Sequence, residues 1–509
     1  MKTIQQLLSK KSSGAVRISL AAALAALLAV SGLAVAGKLE TKKPVQLDLR
    51  VDRTPPARKD GYRNSFAPVV KKVSPAVVKV NVSAQAKQLG APHGWPFTDD
   101  PMFRRFFGPG QNFRAPMPDA MPRREGFGSG VIVTPDGYLI TNNHVVNEAD
   151  TIEVVMADNR KFTATLVGGD PKTDIAVLKI DAKDLPYLTL GDSTQLEIGD
   201  VVLAVGNPFG IGQTVTQGIV SGVGRASMGL EYEDFIQTDA AINPGNSGGA
   251  LVDVDGRLIG INTAIISRGG GNDGIGFAVP VNLARHVLES IVTEGHVVRG
   301  HLGVRIQDVT PELAQVFDLK EVKGALVAEV EDDSPAAKAG LEPGDVVLKF
   351  DDQPINDSRH LKLAVGQSAP DSKTKLTVLR DGKEMSLTAK LNRLDDGRSL
   401  AKTDTTSGPQ EEGALNGLQV TDISKDMRHR LDIPKDLTGA VVVEVKPGSA
   451  AAAAGLRKGD ILLEINRQPV ADADAAVALT QKEGDGVTLL RVWRDGAMRY
   501  VVVNEKPVS

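Results

Sequence analysis

The chain of 509 residues predicts a mainly β fold in several domains, and three observations predict it. From Gly126 to Val279, short apolar runs such as VIVTPDGYLIT and DIAVLKI alternate with turn residues at roughly ten-residue spacing, as in a sandwich or a pair of barrels. Further on, GALVAEVEDDSPAAKAGLEPGDVVLKFDDQPI (324–355) aligns without gaps on GAVVVEVKPGSAAAAAGLRKGDILLEINRQPV (439–470). Gly340 returns as Gly455 and Asp345 as Asp460, so one small module is present twice. With 52 glycines and only 4% aromatic residues, turns are many and the cores aliphatic. Length agrees, because roughly 150 residues per domain gives about three domains.

The elements follow in order. Lys2, Lys10, Lys11 and Arg17 precede an apolar run from Ile18 to Ala36 that closes on Ala34-Val35-Ala36, a small-x-small cleavage pattern. Residues 1–36 are therefore expected to be an export signal. The run also approaches the ~20 residues that span a bilayer, so an inner-membrane anchor through 18–36 is the alternative. Residues 37–64 are charged and proline-containing, and are expected to form a tether. A first domain over 65–295 carries an insert at 86–126 whose prolines (Pro92, Pro96, Pro101, Pro109, Pro116, Pro118, Pro122) break regular structure. Inside it, MFRRFFG gathers Phe103, Phe106 and Phe107. VNLARHVLESIVTEG (281–295) reads as a helix closed by glycine. The repeated modules are expected over 299–394 and 414–506, joined by a polar linker at 395–413.

Composition excludes several classes. Cysteine is absent, which removes disulfides, cysteine catalysis and thiolate metal sites. A net charge of -4 supplies no global attraction for nucleic acid. HExxH, a P-loop and clustered metal ligands are all missing, so no metal or cofactor is expected.

The candidate chemistry centres on DAAINPGNSGGALVDVDGRLIGINTAI (239–265). Ser247 stands between two pairs of small or glycine residues, and a serine nucleophile needs a base that is itself oriented by a third group. G-x-S-x-G would suit an α/β-hydrolase elbow, but that demands a helix after the serine and a histidine late in the chain. Here strand-like alternation with an Asp255-Gly256 turn follows instead. In the other arrangement, His precedes Asp, which precedes Ser. Only His93 and His144 precede Ser247, and His93 lies in the irregular insert. His144, after YLITNN, is the better base. For the acid, Asp174 before IAVLKI is the best of several, with Asp136, Asp150, Asp158, Asp170, Asp184 and Asp192 beside turns.

Together TNNHVV, DIAVLKI, NPGNSGGALV and the repeated AGLxxGD resemble the HtrA (Do/Deg) family of serine proteases, from about residue 65 onward. The resemblance implies a chymotrypsin-like double β-barrel with two PDZ domains behind it, and His144, Asp174 and Ser247 as catalytic triad. It implies a periplasmic, ATP-independent endopeptidase acting on misfolded proteins, with chaperone-like holding of unfolded chains. Homotrimers that build larger cages are implied too, with the insert's phenylalanines reaching neighbouring subunits. Backbone N–H groups of Gly245 and Ser247, with Asn246 as a third, are expected to receive the oxyanion. Asn246 is neutral where trypsin-like zymogens carry Asp, so regulation is expected from loops such as 220–234, with Arg225 as relay. Ile242 and 265–277 are expected to wall a pocket for a small aliphatic residue. In the first PDZ module Leu302, Gly303 and Val304 are expected to hold a C-terminal carboxylate. In the second, Asn416-Gly417-Leu418-Gln419-Val420 carries Gln where Gly is usual, which leaves peptide capture there open. A catalytically silent PDZ scaffold or holdase would require decay of a triad or oxyanion position, and none is seen.

Overall fold

The structure, a computed structural model, describes residues 47–54, 65–85, 123–207, 212–226, 229–266, 273–394, 414–415, 417–480 and 486–504. The apolar run 18–36, the phenylalanines of the insert and the linker 395–413 lie outside these residues. Among the described residues no helix is long and apolar enough to cross a membrane.

Two closed barrels of six strands each come first. β1 (Val77–Gln85), β2 (Arg123–Ile132), β3 (Tyr138–Asn142), β4 (Thr151–Val155), β5 (Lys161–Asp170) and β6 (Ile175–Ile180) close in the order β1-β2-β3-β6-β5-β4. Alternation explains the closure: Val78, Val80 and Val82 from β1 meet Val154, Leu139, Leu178 and Ile180 inside. The second barrel has β7 (Val201–Gly206), β8 (Thr214–Arg225), β9 (Phe235–Thr238), β10 (Ala250–Asp253), β11 (Leu258–Ile265) and β12 (Gly276–Pro280). Its order is β10-β11-β12-β9-β8-β7. Every residue of β11 is buried, because this strand is covered both by its own barrel and by the helix that follows β12. That helix, Val281–Glu294, buries Leu283, Ala284, Val287, Leu288 and Ile291 and ends at Gly295 in the left-handed conformation (φ 80°).

Two expectations about this half are corrected. β2 already begins at Arg123, so the end of the proline-rich segment is strand. Nor is 37–64 tether throughout. Val51 forms a parallel bridge with Leu190, and the Arg257 side chain donates to the Thr54 carbonyl at 2.6 Å. Buried Arg257, already paired with Asp253 at 2.7 Å, reaches outward to fasten the incoming chain.

The repeated modules are congruent. In the first, β13 (Gly300–His301) pairs with β20 (Asn392–Arg393). The main sheet is ordered β14 (Val304–Asp308), β15 (Ala325–Val330), β16 (Val346–Phe350), β18 (Lys373–Arg380), β19 (Lys383–Lys390), with β17 (Gln353–Pro354) on β16. The second runs β21 (Ala414–Leu415), β22 (Leu418–Asp422), β23 (Ala440–Val445), β24 (Ile461–Ile465), β26 (Val487–Arg494), β27 (Ala497–Asn504), with β25 (Gln468–Pro469) on β24. The repeated AGLxxGD motif is a structural clamp. Asp345 accepts from Arg380 Nε and Nη2, both at 2.6 Å, and from the Glu342 amide at 2.9 Å. Asp460 does the same with Arg494 and the Arg457 amide. Each bidentate pair ties the turn before one central strand to the end of the next.

The two modules also touch. Gln307 donates to the Tyr500 carbonyl at 3.1 Å and accepts from the Tyr500 amide at 2.7 Å, so an amide side chain imitates a strand neighbour. Phe317 meets Tyr500 edge to face with ring centroids 5.6 Å apart.

Candidate active site

β3 delivers its last residues into a one-turn helix, Asn143–Val146, which points His144 toward the seam between the barrels. The hairpin from β5 to β6 brings Asp174 beneath it. Asp174 is fully buried and sits at φ 59°, a left-handed conformation that aspartate tolerates better than most residues. Its Oδ2 lies 2.7 Å from His144 Nδ1, and its Oδ1 accepts the His144 backbone N–H at 2.9 Å. One carboxylate thus fixes both the ring and the backbone that carries it. With Nδ1–H donated to the acid, the imidazole presents Nε2 as a base. Of the other acids considered, Asp170 is engaged elsewhere, by Arg299 at 2.6 Å and the Thr173 hydroxyl at 2.5 Å.

Ser247 enters from the second barrel. A methyl built on Gly128 would fall 2.7 Å from Val145 Cγ1 and 3.2 Å from the Ser247 carbonyl. The neighbour of His144 and the serine therefore flank one point of β2. Asn142 ties the parts together: its Nδ2 donates to the Asp174 carbonyl at 3.0 Å and to Thr263 Oγ1 at 2.9 Å. The Thr263 carbonyl in turn accepts the Ser247 hydroxyl at 3.1 Å. Asn142 and Thr263 were not singled out by sequence, although Asn142 stands two residues before His144.

The nucleophile loop shows which amides are available. Asn246 N–H donates to the Asn243 carbonyl at 2.9 Å, so the expected third oxyanion donor is already spent. Gly248 N–H is taken by the Asn262 carbonyl at 2.8 Å and Gly249 N–H by the Asn246 carbonyl at 2.9 Å. Among the described residues no acceptor is bonded to the amides of Gly245 or Ser247. Gly245 has φ 99°, which a side chain would resist, and a Cβ on Gly248 would lie 2.1 Å from the Ser129 carbonyl.

Ile242 is fully buried, with its Cδ1 3.0 Å from where a Gly276 Cβ would stand. Core packing at the root of β12 accounts for what is described of it, since 267–272 lie outside the described residues. Arg225 ends β8 and donates to Gln237 on β9 at 3.0 Å, with no bond to the PDZ side among the described partners. The cross-domain contacts come from its neighbours. Arg359, on the module helix Ser358–Gln367, pairs with Asp234, while Tyr232 packs under Gly366 of that helix. Burial pushes the Asp234 carboxyl up, against the pull of Arg359. Beside it, Asp357 overcomes burial through the ring and amide of His360 and through Arg359, and is held down to about 2. Buried Arg299 stacks over the Tyr232 ring, 4.4 Å from its centroid, while bonding Asp170. Its sequence signal was available in the repeat, because the second module has Gly413 at the corresponding place.

In the first module Leu302 and Gly303 form the loop before β14, and Val304 is that strand's first residue. The amides of Leu302 and Gly303 have no acceptor among the described residues, while their carbonyls bond the Ala336 and Glu331 amides at 2.9 and 3.0 Å. Gly303 stands at φ 78° against Ser334, the cap of the helix Pro335–Ala339. In the second module this place belongs to Gly417, at φ 93° against Ser449, and the Gly417 carbonyl accepts the Lys446 amide at 2.7 Å. The glycine expected to be missing at Gln419 is thus present two residues earlier. However, Ala414–Leu415 pairs with Leu418–Gln419 and covers the start of the β22 edge, whereas β14 has no such partner among the described residues.

Comparison with known proteins agrees. Residues 128–261 match the trypsin-like peptidase domain family, and 300–391 and 441–494 match two PDZ domain families. A Chlamydia pneumoniae protein named probable periplasmic serine endoprotease DegP-like is 37% identical over 453 residues, spanning 86% of this chain and 89% of its own. One of the same name from Pseudomonas putida (strain W619) is 40% identical over 449 residues, spanning 86% and 92%. A solved structure titled HtrA-type protease AlgW with tripeptide is 47% identical, covers 65% of this chain and 99% of its own, and superposes with a TM-score of 0.50. The chain is a serine endopeptidase and belongs to the DegP-like branch of the HtrA family, a trypsin-like double barrel followed by two PDZ domains.

Proposed function

We propose that His144, Asp174 and Ser247 are the catalytic triad of this endopeptidase, and that the Gly245 and Ser247 amides form its oxyanion hole. The observation that carries the reading is the pair of unbonded amides flanking Asn246, in a loop whose Asn246, Gly248 and Gly249 amides are all bonded, opposite an imidazole oriented by a buried carboxylate. In the reaction, the Ser247 hydroxyl leaves the Thr263 carbonyl and gives its proton to His144 Nε2 as its oxygen attacks the peptide carbonyl. Asp174 stabilises the imidazolium, and the oxyanion takes the two amides. His144 then returns the proton to the leaving amine, and water repeats the sequence on the acyl-enzyme.

The setting we infer is the periplasm, reached through the export signal at 1–36, as the names of the relatives support. Substrates are unfolded or damaged proteins, and chaperone-like holding accompanies cleavage. The Leu302-Gly303-Val304 loop captures peptide C-termini, and a ligand-bound HtrA-type relative supports such capture. Its state reaches the protease through Arg359 and Asp234, next to the strand end at Arg225. Ile242 backs a pocket for Val or Ala, and the chain works as a homotrimer that can form larger cages. Casein digestion by the whole protein tests the core of this reading: Ser247→Ala should abolish it, and undiminished digestion would refute the triad.

A further inference from the structure

We infer that Ser129, on the first barrel, is a positioning residue for the oxyanion hole formed by the second. The inference rests on the Gly245 and Ser247 reading above and concerns a side chain outside the triad and the hole. Ser129 lies on β2, is fully buried and uses all of its polar groups across the seam or beside it. Its hydroxyl donates to the Gly245 carbonyl at 2.6 Å and accepts the Asn207 amide at 2.9 Å. Its backbone N–H donates to the Ser247 carbonyl at 2.8 Å, and its own carbonyl accepts the Thr141 hydroxyl at 2.7 Å.

These bonds determine peptide orientation. Each peptide unit has its C=O and N–H on opposite sides, so anchoring one group aims the other. The Gly245–Asn246 unit is held at both ends, by Ser129 Oγ and by the Asn243 carbonyl. The Asn246–Ser247 unit has its carbonyl bound by Gly249 N–H, which leaves the Ser247 N–H facing the reacting centre. Gly245, without a Cβ and at φ 99°, is the one residue of this turn whose backbone can swing cheaply. Ser129 Oγ is the only described side chain that restrains it. The Gly245 N–H belongs to the preceding Pro244–Gly245 unit, so Ser129 acts on it through the Gly245 α-carbon. Without that donor the buried Gly245 carbonyl is unsatisfied, and rotation about Gly245 φ and ψ changes the angle between the two units and takes the Gly245 N–H off the oxyanion.

Because Ser129 touches neither substrate nor oxyanion, its loss acts on the transition state and not on substrate binding. In the full-length protein, Ser129→Ala should lower kcat on a chromogenic peptide about 10- to 100-fold, near the lower range for losing one oxyanion donor. KM should change less than about threefold, and affinity for a peptidyl boronic acid, a tetrahedral anion mimic, should fall with kcat. Ser129→Cys keeps the shape but offers only a weak donor, and should show the same loss if the alanine variant folds poorly. Should both variants keep kcat within threefold while Ser247→Ala is dead, the positioning role is wrong and the triad stands. Equal losses in boronate affinity and in substrate affinity would also overturn it, since that marks general damage. Full activity in Ser247→Ala would refute the underlying reading instead.

Discussion

Asp174 shows what one residue can be asked to do. Both of its oxygens are committed to His144, one to the ring and one to the backbone, and the residue itself is fully buried. Asp174→Asn would keep the shape but offer an amide N–H where Nδ1–H must be accepted, which favours the wrong tautomer. The expected outcome is a loss of about ten-thousand-fold in kcat with little change in thermal stability, read by steady-state kinetics and calorimetry. Sequence reasoning reached Asp174 only as the best of several acids, because linear spacing cannot say which carboxylate is buried beneath an imidazole. Ser247 and Gly245 drew notice in the sequence, since small residues crowded around a lone hydroxyl call for a backbone reason. Asn142, Ser129 and Thr263 did not. Their roles arise from bonds spanning gaps such as Ser129 to Gly245, and nothing local in GSGVIV or INTAI announces them.

At the scale of the element, the repeat was the most legible feature, and it proves to encode a clamp as well as a hydrophobic pattern. Asp460 is almost wholly buried, and Arg494 supplies both of its side-chain partners among the described residues. Removing the cation strands a buried carboxylate, so Arg494→Leu should destabilise the second module by about 3 kcal/mol. Chemical denaturation of the whole protein should show the transition of the PDZ modules moving to lower denaturant while that of the protease barrels stays in place. Arg380→Leu should do the same to the first, more mildly because Arg380 is the more exposed of the pair. What the element pattern misjudged was register. Asn416-Gly417 was aligned as though Gln419 held the loop glycine, yet Gly417 packs on Ser449 as Gly303 packs on Ser334. A two-residue slip is invisible where both registers present an apolar residue next. It is settled only by the cap of the following helix, which must meet a residue without a side chain.

Over the whole molecule, domain order was readable and domain contact was not, because contact depends on outward faces that no periodicity marks. Gln307, Phe317 and Tyr500 are spread over both modules, and each alone looks like an ordinary surface or strand residue. Together they make the modules a continuous body: Leu313, Phe317, Leu326 and Val346 from one share a cluster with Leu489 and Tyr500 from the other. The phenol of Tyr500 reports on that burial, which pushes its pKa from 10.0 to about 12. An acid whose folded pKa lies above its unfolded value resists ionisation in the fold. Its contribution is complete below pH 10 and is lost as pH rises through about 12. Ultraviolet titration should therefore find one tyrosine ionising near 12, and the contact between modules should weaken over that same window. Phe317→Ala removes the ring that shields the phenol, so this late ionisation should move back toward 10. If the late titration persists unchanged in Phe317→Ala, the phenol is not buried by the neighbouring module and the two PDZ domains move independently.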